Sequence, residues 1–227
     1  MSLNLAWTFE AKYFLTAYQL VGMLLEVTPA PKTDGKTKLL DAAIAVIRTK
    51  GYSATTVDKI CQAAGVTKGA FFHHFKSKEE LAVSAAGHFS SMADRLFLGA
   101  PYRNLPDPVD RLLAYIDFRK AILKGELPEF TCLLGTMVQE AYETHPAIRE
   151  ACGKHMGGHA GMIEADISEA MRKYSIHPQW TAGSLALYTQ AVIQGAFILA
   201  KAQHGPQIAV DCLDHLRRYL EMLFHKS

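Results

Sequence analysis

Four cysteines in 227 residues, with no C-x-x-C pair among them, are too few and too scattered for a disulfide framework or a zinc ribbon. Cys61, Cys132, Cys152 and Cys212 are therefore expected as free thiols in a reducing cytosol. Long apolar runs are also missing. The cleanest, Tyr13 to Leu25, is too short to cross a bilayer, so no membrane role is expected. The basic start and small-residue cleavage site of a signal peptide are absent. No alternating strand pattern, internal repeat or low-complexity tract interrupts the chain. G-x-S-x-G, G-x-G-x-x-G, P-loop and H-E-x-x-H patterns are all lacking, and scattered histidines make no catalytic constellation. Neither an enzyme nor a cofactor or resident metal is expected.

What is present is an ordinary globular composition, 49% hydrophobic and 20% charged, with net charge +2. The charge is unevenly placed. Lys36 to Leu81 holds eight basic residues against four acidic ones, a net +4 that leaves the remainder mildly acidic. That division suits a polyanion-binding module joined to another body. Residues 1–28 are apolar but interrupted by Glu10, Lys12, Gln19 and Glu26. They fit an amphipathic helix and equally fit a translation start placed too early, with Met23 as the native one; no function is assigned to them.

From residue 36 the periodicity is helical. Leu39, Leu40, Ala43, Ile44, Val46 and Ile47 recur at three- and four-residue spacing until Gly51 stops the helix. Thr55 with Asp58 gives a T-x-x-D start signal for a helix ending at Gly65. Thr67 caps a very short third helix, KGAFFHH, and Ser77 with Glu80 forms a capping box opening a longer one. Beyond the proline-rich break PYRNLPDP, helical segments are expected near 108–124, 129–143, 147–174, 179–203 and 207–225. The fold class is all-α. An extension (1–31) precedes a three-helix helix-turn-helix unit (32–82), and a larger helical body (83–227) follows.

The doubled histidine in GAFFHHFK needs a reading. Neighbouring residues on a helix point about 100° apart, and no third ligand is near, so a metal site is disfavoured. The wider stretch KTKLLDAAIAVIRTKGYSATTVDKICQAAGVTKGAFFHHFKSKEEL resembles the DNA-binding domain of the TetR family of bacterial transcriptional regulators. The likeness rests on K-G-Y-x-x-T-T-V-x-x-I, on A-A-G-V-T-K-G and on F-H-H-F-K-S-K-E-E-L.

The resemblance implies double-stranded operator DNA as a partner. Thr55 and Thr56 would meet a phosphate, and Thr67 and Lys68 would open the recognition helix. Gly69 and Ala70 would permit close groove approach, with Ala70 near a thymine methyl. Lys76 and Lys78 would follow on the backbone. Phe72 stands where the family usually carries tyrosine, which removes a hydroxyl-to-phosphate bond and shifts weight to His73 and Lys76. His74 is expected to turn toward the body or the next helix, in a structural role.

The resemblance also implies a cytoplasmic homodimer on a palindromic operator, joined through the last two helices and released by a small-molecule effector. A single short recognition helix reads too few base pairs alone. Small residues of 179–203 (Ala182, Gly183, Ala186, Ala191, Gly195, Ala196, Ala200) and Val210, Leu213, Leu216, Leu220 and Phe224 of the last helix suit close helix packing. Effector candidates are Phe118, Met137, Gln139, Tyr142, His155, Trp180, Tyr188 and Gln194, an apolar pocket with a few polar handles. Three alternatives stay open: a related ligand-binding or protein-interaction module without operator binding, metal sensing at Cys152, His155 and His159, and thiol sensing at Cys132.

Overall fold

The computed structural model describes residues 34–226, so the assignment of 1–31 lies outside the described residues. All regular structure within them is helical. A head is formed by α1 (Gly35–Lys50), α2 (Val57–Ala64), α3 (Lys68–His74) and the first half of α4 (Lys78–Leu98). A 3-10 turn (Pro101–Asn104) occupies the proline-rich break. The body follows as α5 (Pro108–Ala121), α6 (Leu127–Phe130), α7 (Leu133–Ala141), α8 (Pro146–Lys173), α9 (Ala182–Ala202) and α10 (Gln207–Leu223).

The helix ends follow local chemistry. Thr56, Thr67 and Ser77 cap α2, α3 and α4, each accepting the N–H three residues on. The start signal at Thr55 is therefore displaced by one residue. Ser77 caps as expected, but the Glu80 carboxylate reaches back to the N–H of Lys76, 2.7 Å away, one residue before the cap. Gly65 ends α2 at φ 64° and ψ 35°, and Val66 N–H donates to Cys61 C=O at 3.0 Å, a Schellman stop that fixes the tight turn into α3. The expected 129–143 segment is two helices. Pro128 sits in the first turn of the four-residue α6, and extended Thr131 and Cys132 separate it from α7.

Two apolar cores organise the chain. One fills the body, from Phe97 through α5, the second half of α8, α9 and α10. The other gathers Leu39, Leu40, Ile44, Ile47, Ile60, Phe71 and Phe75 of the head, with Val57 and Val66 packed at its margin. Leu133, Leu134, Met137, Ala141, Ile148 and Cys152 of the body belong to that same core. Packing is thus continuous across residue 82.

Polar ties reinforce the junction. Gly51 (φ 83°) leaves room for the Glu140 carboxylate, which a Cβ there would strike. Glu140 Oε2 accepts Ser53 N–H at 2.8 Å, and Tyr52 packs edge-on against His145. At the far end, Asp107 caps α5 and also accepts from Lys173, Tyr174 and Lys226. These bonds hold its carboxyl well below the usual range despite the opposing effect of burial.

Candidate nucleic-acid interface and effector cavity

The seven-residue α3 has two sharply different sides. Phe71 is wholly buried and Phe75 is 2% exposed, so both anchor the helix to the head core. His74 is half-buried, with its Nε2 beside Gly35 at the start of α1. Lys68, Gly69, Phe72, His73 and Lys76 are exposed. Lys68, Gly69, Phe72 and His73, offset by one, four and five residues, share one outward side of the helix, and Lys76 follows just past its end, after extended Phe75. Phe72 is 57% exposed, an unusual position for a large apolar ring. Ala70 is half-buried, and Thr67 and Thr56 are exposed at the two caps. Lys68 pairs with Asp58 at 2.8 Å, both side chains largely solvated, which leaves it free to exchange partners.

Two expected contacts are corrected. Thr55 is 0% exposed. Its hydroxyl donates to Gly51 C=O at 2.6 Å and its N–H to Tyr52 C=O at 3.2 Å, so neither is available to a phosphate. Lys78 is turned inward: Nζ donates to Tyr52 C=O (3.1 Å) and Thr55 C=O (3.0 Å) and lies 4.1 Å from the Tyr52 ring centroid. Burial lowers its pKa from the ordinary lysine value. Both residues hold the loop ahead of α2 and shape the surface from behind.

In the body, a narrow cleft lies among α4, the 3-10 turn, α5 and α8. Phe97, Leu98, Tyr102, Leu112, Met162 and Ile163 supply its apolar walls, and Arg103, Tyr115, His159 and Asp166 its polar ones. A second narrow cleft lies between α7 and α9 and includes Gln139, Gln194 and Lys201.

The expected effector residues do not converge on either cleft. Gln139 and Gln194 share the second. Phe118 packs against Phe97 and Tyr102 at the border of the first, and His155 lies against Gly87 of α4. Met137 is sealed in the head-side core, and Trp180 meets Phe224 edge-on. Tyr142 is 56% and Tyr188 47% exposed. A dispersed set follows from choosing polar and aromatic residues along separate helices without knowing which helices meet.

What that choice missed is a polar network bridging three helices. Arg119 Nε donates to Tyr115 Oη at 2.9 Å, and Arg119 Nη2 to His159 Nε2 at 2.7 Å. Tyr115 Oη donates to the same imidazole nitrogen at 3.0 Å, and Gln190 donates to Tyr115 Oη at 3.5 Å. The only local signal was the four-residue spacing of Tyr115 and Arg119. Burial first, and then the charge of Arg119, hold the His159 pKa down at about 3, so the ring is neutral. His159 is thereby engaged elsewhere than with Cys152, which lies in the other core with its thiol pushed up to about 12 by burial. Among the described residues no three His, Cys, Asp or Glu side chains are disposed to hold a metal.

On the outside of the body, α9 presents Leu187, Tyr188, Ala191, Ile198, Leu199 and Ala202 on one exposed stripe, with half-buried Gly195 within it. Met222 and Tyr219 of α10 flank it; Met222 is 67% exposed and Tyr219 meets Tyr188 edge-on. By length and hydropathy α9 is the one helix among the described residues that could cross a membrane. Here its other face is packed on α8 and α10.

A two-helix reading unit on a three-helix head, joined to an all-α body, is the architecture of a helix-turn-helix regulator. Residues 39–85 match the family model described as bacterial regulatory proteins, tetR family, and residues 108–216 that of the tetracyclin repressor-like C-terminal domain. The chain belongs to the TetR family of bacterial transcriptional regulators. It is 46% identical over 57 residues to the HTH-type transcriptional repressor KstR2 of Rhodococcus jostii, covering 23% of this chain and 28% of that protein. The chain thus spans less than a third of that relative's length. With the HTH-type transcriptional repressor DhaR of Mycobacterium sp. the likeness is 26% over 174 residues, covering 77% and 86%. A solved TetR-family regulator from Agrobacterium tumefaciens shares the fold, with TM-score 0.72 and 21% identity over 83% of this chain and 96% of that one.

Proposed function

We propose that this chain is a cytoplasmic, ligand-responsive transcriptional repressor that binds a palindromic operator as a homodimer and releases it when a small effector enters the body. The observation that carries this reading is the outward face of α3, where Lys68, Gly69, Phe72, His73 and Lys76 stand exposed while Phe71 and Phe75 anchor the helix behind them. A small residue beside two cations suits groove entry flanked by phosphate contact. Thr56 and Thr67, exposed at helix starts, add hydroxyls and N–H groups for the backbone. Ala70 belongs at the margin of that surface.

The exposed apolar stripe of α9, with Met222 and Tyr219 of α10, supports pairing of two copies there, since a monomer rarely leaves such a surface to water. Pairing also supplies the second half-site that one short recognition helix lacks. The body has no proposed catalytic role. Its task is to couple effector binding to the position of the heads, a shift between two dimer geometries.

The test is footprinting and fluorescence anisotropy on DNA flanking the protein's own gene. Operator affinity should fall steeply with salt, as phosphate neutralisation requires. Specific binding with a flat salt response, or no protected palindrome, would reject the reading. In the latter case the missing hydroxyl at Phe72 would favour a ligand-binding module that has lost its operator.

A further inference from the structure

Arg119 leaves the last turn of α5 where α4, α5, α8 and α9 converge. Its guanidinium lies 4.2 Å from the Phe97 ring centroid, while Nε and Nη2 donate to Tyr115 and His159. A guanidinium has five N–H donors and keeps its charge. These two bonds leave three donors. Among the described residues no carboxylate stands within ion-pair distance of it, unlike its neighbours Arg103 and Arg111.

That contrast is informative. Across the neighbouring cleft, Asp166 is held by both Arg103 and Arg111, and Arg111 also holds Glu169. Two arginines and two carboxylates balance there. On the other side, a guanidinium can only donate, so His159 Nε2 accepts and the ring proton is on Nδ1. The imidazole is neutral and cancels nothing. One positive charge is left over, half-buried beside an apolar, aromatic-walled cleft, and partial burial makes an uncompensated charge costly.

We propose that the effector is a small organic monoanion: a carboxylate on a flat apolar body, with the carboxylate on Arg119 and the body in the adjoining cleft, against the wall that Phe97, Tyr102 and Tyr115 form. This rests on the proposed effector-binding role of the body and names the chemistry of its ligand. A carboxylate meets a guanidinium edge through two parallel hydrogen bonds. That pair forms on the spare donors of Nη1 and Nη2, and pulling the guanidinium toward the cleft strains its bond to His159, the tie between α5 and α8. Helix α8 also carries Ile148 and Cys152 into the head-side core, so the movement has a physical route to the DNA-reading surface.

The experiment titrates the full chain by calorimetry with benzoate, phenylacetate, cinnamate and hexanoate, each beside its primary amide. Wild type, Arg119→Met, Arg119→Lys and Tyr115→Phe are compared, and operator release is followed in parallel by anisotropy. At least one acid should bind about tenfold or more tighter than its amide, as a desolvated charge pair requires. Arg119→Met should erase that preference, Arg119→Lys should keep part of it, and Tyr115→Phe, which removes a prop but leaves the charge, should retain it. If circular dichroism shows Arg119→Met unfolded, Arg119→Gln carries the same comparison. No acid binding, equal binding of acid and amide, or a preference that survives loss of the arginine overturns the proposal. Release of operator by a neutral amide but not by its acid also overturns it and leaves the repressor reading standing. Failure to bind operator at all rejects that reading instead, while calorimetry still judges the anion site.

Discussion

Phe72 presents a ring to solvent at the centre of the proposed DNA face, where a tyrosine would add a donor for phosphate. Restoring that hydroxyl by Phe72→Tyr should tighten operator binding by about 0.5–1.5 kcal/mol, the net value of one such hydrogen bond, measured by anisotropy at fixed salt. Lys76→Ala should weaken all sequences alike and reduce the salt slope by about one. Thr55 and Thr56 are adjacent but separable. Thr55→Val removes a buried hydroxyl bond and should lower unfolding stability by about 1 kcal/mol with little change in operator affinity. Thr56→Ala should cost both, because that hydroxyl caps α2 and faces outward. The T-T pair was legible as a helix start. Which threonine turned inward was not, because the choice depends on the Gly51 carbonyl and on Lys78, residues outside the repeating pattern. His159 carries a pH prediction. Its pKa is about 3 when folded against about 6.5 unfolded, so the unfolded chain binds more protons between those values. Stability should therefore decline as pH falls below about 6.5, by up to about 1.4 kcal/mol per pH unit from this group. His159→Gln should flatten that limb of a chemical-denaturation pH series.

At the scale of helices, caps, stops and apolar spacing made the order of elements legible along the described chain. The exceptions are instructive. α6 and α7 read as one segment because Thr131 and Cys132 carry no strong breaking signal, and only the packing of α6 and α7 on α1 makes the interruption intelligible. The polar network of Arg119 was invisible because His159 and Gln190 lie 40 or more residues from Tyr115 and Arg119, on other helices. Between elements, Glu140 is the clearest polar tie from body to head, accepting the Ser53 N–H ahead of α2. Glu140→Ala should leave operator affinity within a few fold but weaken the effector's power to lower it. Comparing operator affinity with and without saturating effector in both proteins measures that coupling directly. Unchanged coupling would exclude this tie from the signal path.

For the whole molecule, the open question in the fold is what covers the α9 stripe. Leu187 is 61% and Ile198 48% exposed, so a charge at either costs the single chain little. Leu187→Glu with Ile198→Glu should yield helical monomers in analytical ultracentrifugation and lose operator binding, with α3 untouched. A double variant that stays dimeric would place the interface elsewhere. The shared core bears on a different matter, the interchangeability of parts. Transplanting a reading head by a cut near the end of the third helix would treat the head as a cartridge. In this chain such a cut strips Leu133, Met137, Ile148 and Cys152 from around Leu39, Ile47 and Phe71. A chimera here must carry α7 and the opening turns of α8 along with its head, or be repacked where old and new surfaces meet.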